Sequence, residues 1–294
     1  MNVVGARLRR HTAAAPRRQF SVLRSLLGWG PPQQDQGPQR RVAGGAGLPA
    51  PEEAQQLPVV RIPGLLSEDE IRQVLSEAAA IRRDGAGAVR LQSSPSSGDG
   101  PSSWDPEGYE VERGEWSTTY LQTEHMFQSR LPEIHTKLTA AAVAADRENW
   151  GICAAALAAG EEGDALRTRV VELHTVGVSG GLPHPRHYDA GSCVTIDVML
   201  SEPEQGGSFE TMERGADGTE ALQAHEFRKG DAVCFPSHKY HCVQPVEAGT
   251  RVVLIMELWV GEERRCNHRC EQHFGHCGHA RGVWNSTTGS SVAW

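Results

Sequence analysis

Two histidines, one aspartate and one arginine are the residues whose types and spacing point most directly to chemistry. His187 and Asp189 form a His-x-Asp pattern, His241 follows after 51 intervening residues, and Arg251 lies ten positions further on. Two imidazoles and one carboxylate are the ligand set of a non-haem Fe(II) centre that leaves coordination positions open for reactants. Mn or Zn could also occupy such a site, but Fe(II) suits this ligand set.

Arg251 adds a fixed cation that can bind a carboxylate through two parallel hydrogen bonds. A metal ion with open coordination positions, close to a group that binds a carboxylate, is the arrangement expected of an oxygenase that uses an oxo-acid co-substrate. A single histidine is usually an ordinary core or surface residue. That explanation is much weaker for the whole set of His187, Asp189 and His241, because the set lies in a β-rich region and Arg251 follows ten residues after His241.

The positions of these residues set requirements on the fold. His187 and Asp189 are two residues apart, so on a strand their side chains leave the same face while Tyr188 points away. His241 must come from a distant strand. A jelly roll, in which two sheets fold face to face, supplies such an arrangement.

The order of elements along the chain predicts an α+β fold. Ser67 and Glu70 form a capping box that begins one helix, and a second helix is predicted from Pro132 to Asn149. From Thr168 onward, Val-rich runs alternate with turns, which is typical of short strands in a sandwich or barrel. Helices followed by strands, without β-α alternation, indicate an antiparallel core.

Composition divides the chain into four regions. We expect a transit peptide and flexible linker in 1–57 and a helical support region in 58–165, with a disordered loop near 92–108. A β-rich core in 166–261 and a Cys/His-rich tail in 262–294 complete the chain. No stretch is apolar enough for a membrane-spanning helix.

Charge is distributed unevenly. Residues 1–41 hold eight Arg and one acid, a net charge of +7, so the remainder, with 21 basic and 36 acidic residues, carries −15. The acid-free, Arg-rich first 34 residues are typical of an organellar transit peptide, for which we expect a mitochondrial address. A plastid address, or a disordered basic tail on a cytoplasmic protein, is the alternative. The acidic body argues against a nucleic-acid partner.

A series of motifs in residues 168–260 resembles one known family. The motifs are His187-Tyr188-Asp189, Gly206-Gly207-Ser208-Phe209, the run from Lys229 to Pro236, the run from His241 to Arg251, and Trp259. The series is similar to the Fe(II)- and 2-oxoglutarate-dependent dioxygenases, in particular the prolyl 4-hydroxylase-like branch.

The resemblance implies a double-stranded β-helix, a jelly roll, in which His187, Asp189 and His241 bind iron. It further implies that Arg251 pairs with the distal carboxylate of 2-oxoglutarate, that O₂ is the second co-substrate, and that ascorbate is an additional cofactor. The implied reaction hydroxylates a protein prolyl side chain or a small metabolite while 2-oxoglutarate becomes succinate. Related halogenases lack the carboxylate ligand, so Asp189 favours hydroxylation.

The sequence departs from the family pattern at two positions. Many members carry Ser or Thr two residues after the anchoring base, where this chain has Val253, and Thr195 is our candidate for the replacement hydroxyl. Members often carry a Tyr shortly before the His-x-Asp motif, where this chain has Leu173-His174-Thr175. Three acidic residues on the predicted strands could be pocket acids, but such residues more often face outward, and we assign them no role: Glu172, Glu210 and Glu257.

The seven cysteines fall into two groups. Cys153, Cys193, Cys234 and Cys242 lie in apolar or β-rich surroundings and are predicted to be buried and reduced. In the tail, Cys266, Cys270, His273 and Cys277 could form a tetrahedral Cys₃His zinc site. Their spacing matches no standard zinc finger, and a disulfide or a solvated tail is an equal alternative.

Two other functions compete with an oxygenase. One is a non-catalytic, cupin-like metal- or ligand-binding protein. Arg251 argues against it, because an inert metal needs no carboxylate anchor. The other is an interaction module that acts through the Cys/His-rich tail.

Overall fold

The structure, a computed structural model, describes residues 47–83, 89–92, 115–261, 282–285 and 290–293, of which 89–92, 282–285 and 290–293 are described as backbone only. The described helices are α1 (Pro51–Ala54), α2 (Glu68–Arg83), α3 (Met126–Arg130), α4 (Pro132–Asn149) and α5 (Ile152–Ala159), with a 3₁₀ turn at Thr123–His125. None of the helices among these residues has the length and apolar character needed to cross a bilayer.

The strands are numbered in chain order. They are β1 (Val60–Ile62), β2 (Val89–Gln92), β3 (Trp116–Tyr120), β4 (Ala165–Val176), β5 (Leu182–His187), β6 (Val194–Ser201), β7 (Gln205–Gly206), β8 (Phe209–Arg214), β9 (Glu220–Ala224), β10 (Ala232–Pro236), β11 (His241–Val243), β12 (Val246–Ala248), β13 (Arg251–Gly261), β14 (Gly282–Asn285) and β15 (Ser290–Ala293).

Two antiparallel sheets form the body of the protein. The larger has the order β1-β10-β6-β13-β4-β3-β2, and the smaller has the order β5-β11-β8-β9. Eight of these strands are divided equally between the sheets: β4, β6, β10 and β13 lie in the larger sheet, and β5, β8, β9 and β11 lie in the smaller. Along the chain these strands pass from one sheet to the other, except that β8 and β9 follow each other in the smaller sheet. This arrangement is a double-stranded β-helix, as the sequence predicts.

The helices cover the outer face of the larger sheet. Ile71 of α2 and Leu138 of α4 share one buried apolar cluster with Leu173, Ile196 and Met256 of the sheet. Burial of these apolar side chains is the main source of stabilisation for this layer. The opposite face of the sheet is left to line the interior of the barrel.

Capping fixes the start of α2. The backbone N–H of Glu70 donates to Ser67 Oγ at 3.3 Å, and the backbone N–H of Ser67 donates to Glu70 Oε2 at 2.8 Å. The predicted capping box is therefore present. The second predicted helix is also confirmed, since α4 runs from Pro132 to Asn149.

The N-terminal boundary of the ordered body differs from the sequence-based expectation. A flexible linker was expected through residue 57, yet α1 forms at Pro51–Ala54, and Ala54 and Gln55 are fully buried. This segment is ordered because distant residues hydrogen-bond to it. The expected helical support region also contributes strands, because β1, β2 and β3 extend the larger sheet.

Several expectations concern residues outside the described part of the chain. The transit peptide falls in residues 1–46, most of the expected loop near 92–108 falls in 93–114, and the tail cluster falls in 262–281. These three predictions therefore remain predictions.

Candidate metal centre

The three predicted metal ligands converge in the structure. His187 Nε2 lies 3.6 Å from Asp189 Oδ1, and His241 Nε2 lies 4.0 Å from Asp189 Oδ2. One donor atom from each residue lies within 4.8 Å of the others, and this is the one such group of three that the described residues contain. Because metal–ligand bonds to N and O are about 2.0–2.2 Å, donors of one ion lie up to about 4.4 Å apart. The triad fits a single ion with a small contraction.

Strand pairing brings the two imidazoles together. His187 at the end of β5 lies directly opposite His241 at the start of β11, and their ring centroids are 4.9 Å apart. The Nδ1 atom of His241 lies 3.0 Å from the backbone carbonyl of Lys239. Donation of Nδ1–H to this carbonyl leaves the Nε2 lone pair facing the metal position, as metal-bound histidines require.

Asp189 lies just past β5, so hydrogen bonds rather than strand pairing fix it. Its backbone N–H donates to the carbonyl of Ser237 at 2.8 Å, and its Oδ2 accepts a hydrogen bond from Thr195 Oγ1, also at 2.8 Å. Ser237 Oγ lies 2.9 Å from the same threonine hydroxyl. Asp189 is almost fully buried, and these contacts orient its carboxylate.

The structure gives Thr195 a different partner from the one expected. Its hydroxyl has a single proton, and that proton is donated to Asp189, so Thr195 does not supply a donor for an oxo-acid carboxylate. The threonine instead orients a metal ligand. No sequence motif distinguishes these two roles, because both place the hydroxyl on the inner face of β6.

Arg251 points into the barrel as expected. It is 2% exposed, and its Cζ lies 5.8 Å from the ring centroid of Phe227, a member of the interior apolar cluster. Its Nε and Nη2 atoms are buried without a hydrogen-bond partner among the described residues. Burial lowers the pKa of Arg251 to about 10, and Asp197 partly opposes this shift, so the side chain is charged at neutral pH.

A glycine gives this arginine its space. Gly207 has a φ of +68°, and a Cβ built there would lie 3.3 Å from Arg251 Cδ and 3.1 Å from a methyl carbon of Val246. Any side chain would strain the backbone and press on the arginine. The Gly206-Gly207 turn is therefore part of the wall behind the carboxylate anchor.

A buried ion pair supports the loop that carries Asp189. Arg169 Nη1 donates to the carbonyl of Ala190 and to Ser192 Oγ, the latter at 2.9 Å. Ser192 Oγ in turn donates to Glu257 Oε2 at 2.6 Å. Arg169 and Glu257 are 2% and 0% exposed. The expectation that Glu257 faces outward is wrong, because it is needed inside to neutralise Arg169.

Glu172 also faces inward. It is 4% exposed and its Oε2 lies 2.8 Å from His174 Nε2, while Trp116 packs edge-on against the His174 ring at 5.0 Å. Leu173 between them packs in the outer apolar cluster, so strand alternation places the pair on the inner face. That alternation was readable in the sequence. Glu210 is half-buried and bonds to Ser208 and Gln244.

The four cysteines of the body are buried and free, as predicted. Burial raises the pKa of the Cys242 thiol to about 11, so the thiol is protonated at neutral pH. Cys266, Cys270, His273 and Cys277 lie outside the described residues, and the zinc site they would form stays a prediction.

Comparison with known proteins adds remote structural likenesses. No family model and no curated protein matches the chain. Among solved structures, it is similar to a viral collagen prolyl hydroxylase from Paramecium Bursaria Chlorella virus-1 in its 2OG complex (14% identity, TM-score 0.37, 69% of this chain and 96% of that chain). It is also similar to a Pseudomonas putida prolyl-4-hydroxylase (18%, 0.41, 71% and 97%) and to a 2OG-Fe(II) oxygenase family oxidoreductase from Burkholderia pseudomallei (12%, 0.42, 73% and 89%). These likenesses are too remote to assign a function, which rests on the chain's own residues.

Replacement of one triad histidine tests the metal site. We expect His241→Ala to reduce Co(II) affinity at least 100-fold, because it removes one of three ligands, as measured by titration of the visible Co(II) absorption. His184→Ala is the control, since His184 lies on β5 outside the triad, and we expect its affinity to stay within twofold of the wild type. Equal loss in both variants would contradict the assignment.

Thr195→Val tests the orienting role of the threonine. Loss of a hydrogen bond to a metal ligand typically weakens metal binding by about 10- to 100-fold. We expect Co(II) affinity to fall within this range, whereas the affinity of the metal-loaded protein for 2-oxoglutarate should change less than threefold. Weaker 2-oxoglutarate binding with unchanged Co(II) affinity would instead indicate that the Thr195 hydroxyl donates to the co-substrate.

Proposed function

We propose that the chain is an Fe(II)- and 2-oxoglutarate-dependent dioxygenase that hydroxylates its substrate while 2-oxoglutarate is decarboxylated to succinate. The observation that carries the proposal is the combination of two features in one barrel. These are a His-Asp-His triad that fits a single ion and Arg251, a buried cation with two nitrogen atoms lacking hydrogen-bond partners among the described residues.

Each residue has a role that follows from its surroundings. The ferrous ion, when bound, would supply O₂ activation and oxidative decarboxylation of the oxo-acid. His187, Asp189 and His241 would hold the ion, and a set of three protein ligands leaves other coordination positions free for reactants. Arg251 binds the distal carboxylate of 2-oxoglutarate, because a buried guanidinium retains its charge and its fork of donors matches a carboxylate.

The interior environment supports this assignment. Met199, Phe209, Phe235 and Val253 form an apolar cluster that adjoins the polar groups. His241 packs against the ring of Phe235 at 4.9 Å. Such a lining excludes water, which strengthens the interaction of Arg251 with an anion.

A cupin-like binding protein is the alternative function. It would use the same triad for a structural metal. Arg251 favours the oxygenase, since a structural metal gives no reason to bury a guanidinium with two nitrogen atoms that lack hydrogen-bond partners among the described residues. The substrate is a protein prolyl side chain or a small metabolite, and ascorbate would maintain the ferrous ion.

The location of the protein is a separate proposal. The eight Arg and single acid of residues 1–41 support mitochondrial import, with a plastid or the cytoplasm as alternatives. We expect a fusion of residues 1–46 to a fluorescent protein to collect in mitochondria. Diffuse cytoplasmic fluorescence would contradict this proposal.

Anaerobic titration with Fe(II) and 2-oxoglutarate tests the function directly. We expect the visible charge-transfer band of the iron–oxo-acid chelate in the wild type. In Arg251→Leu, half-saturation should need at least about 10-fold more 2-oxoglutarate, because a hydrogen bond to a charged group contributes about 1.5–3 kcal/mol and the variant loses every such bond from this side chain. Arg82→Leu, on the outer face of the larger sheet, is the matched control and should titrate like the wild type.

Two outcomes of this titration would contradict the proposal. A folded wild-type protein that binds Co(II) but shows no band would favour the cupin-like alternative. If the Arg251→Leu variant titrates like the wild type, Arg251 does not bind the carboxylate of 2-oxoglutarate.

A further inference from the structure

Residues 49–57, here called the strap, bind the turn between β10 and β11. The backbone N–H of Tyr240 donates to the side-chain oxygen of Gln55 at 3.2 Å, and the Tyr240 hydroxyl donates to Glu52 at 3.3 Å. Gln55 is fully buried although it is polar. The strap and the turn are about 185 positions apart in sequence, so these contacts are tertiary.

Lys239 is the centre of this contact. Its side chain is 0% exposed, and its Nζ donates to the backbone carbonyls of Leu57 at 2.8 Å and Gln55 at 3.1 Å, and to Glu213 at 3.0 Å. The ammonium group has three N–H bonds, and the strap accepts two of them. Without the strap the ammonium would keep Glu213 as its partner but leave two buried N–H groups unsatisfied, at a cost of about 1–3 kcal/mol each, so Lys239 depends on the strap to stay in place.

The backbone of Lys239 connects the strap to a metal ligand. The carbonyl of Lys239 is the acceptor for His241 Nδ1, at 3.0 Å. Displacement of Lys239 would move this carbonyl and release the ring of His241. The strap thus acts on His241 through one intervening residue.

His238 connects the strap to the other ligand segment. The backbone N–H of Gly191 donates to His238 Nε2 at 3.2 Å, which leaves the proton on Nδ1, and Nδ1 lies 2.8 Å from the carbonyl of Pro49. Gly191 is in the loop that follows Asp189. The strap therefore reaches both segments that carry the metal ligands.

We propose that the strap is an integral part of the metal centre, with Gln55, His238 and Lys239 acting as positioning residues for His241 and for the loop after Asp189. The inference rests on the proposed metal site and deepens it. It also limits processing: any removal of a transit peptide must leave the chain intact from Pro49 onward. Cleavage after residue 57 would remove the acceptors of a buried lysine.

Full-length point variants test the strap. Lys239→Met removes the buried ammonium with little change in shape, and Gln55→Leu removes the acceptor for Tyr240 N–H. We expect both to lower Co(II) affinity at least tenfold and to change the shape of the visible Co(II) spectrum, because the orientation of His241 is altered. Circular dichroism and thermal melting report whether each variant is folded.

Arg61→Met is the matched control. Arg61 also lies near the N-terminus of the described body, and it forms a 2.7 Å ion pair with Asp231. Asp231 directly precedes β10, at the opposite end of this strand from Ser237 and the turn that the strap binds. We expect Arg61→Met to lower the melting temperature. Its Co(II) affinity should stay within twofold of the wild type, and its visible Co(II) spectrum should be unchanged. A general loss of stability would therefore not produce the loss of Co(II) affinity that we expect of the strap variants.

The outcomes separate the strap from the metal centre itself. If the wild type binds Co(II) and the folded Gln55→Leu and Lys239→Met variants bind it as tightly as Arg61→Met does, the strap proposal is overturned and the triad stands. If Lys239→Met does not fold, Gln55→Leu decides. A folded wild type without Co(II) binding would overturn the triad, and the strap proposal with it.

Discussion

The register between β5 and β11 places His187 directly opposite His241, and the whole site depends on this cross-strand pair. A slip of one residue in either strand would turn one imidazole to the other face of the sheet, because side chains alternate with a period of two. Burial of apolar side chains on the inner face of the smaller sheet holds this register. Phe209 on the neighbouring strand β8 lies opposite Val243 and packs against the ring of His241.

The three buried cations of the described residues differ in how fully their nitrogen atoms are hydrogen-bonded. Lys239 donates to Glu213 and to two backbone carbonyls, and Arg169 pairs with Glu257 and donates to Ser192, although its Nε has no hydrogen-bond partner among the described residues. Arg251 is equally buried, but two of its nitrogen atoms have no such partner within the described residues. Since buried polar groups are nearly always hydrogen-bonded, two unpaired nitrogen atoms on one guanidinium favour a ligand that completes the site.

The sequence predicted the fold, the convergence of His187, Asp189 and His241, and the burial of Arg251. Metal ligands and their strands carry local signals: spacing of two within His187-Tyr188-Asp189, apolar alternation in the strands, and a capping box at Ser67. Local patterns alone predict only an antiparallel sandwich or barrel, and the resemblance to a known family implies the double-stranded β-helix. The structure agrees with that fold and with the predicted second helix.

The strap and the inward acids were missed for different physical reasons. Residues 49–57 have the composition of a linker, and their order comes from Lys239 and Tyr240 far along the chain, which no local pattern reveals. Glu172 was misplaced although alternation with Leu173 could have oriented it. A general expectation that acids face water outweighed the periodicity of the strand.

The absent hydroxyl at Val253 has a structural context that the sequence alone did not give. On the inner face, Val253 lies between Met199 on β6 and His174 on β4. The hydroxyl of Thr195 is engaged elsewhere, because it donates to Asp189. The residue directly opposite Val253 on β4 is His174, whose ring is held by Glu172. The polar side chain nearest to Val253 on the inner face of the larger sheet is therefore supplied by β4, because Met199 on the other side is apolar.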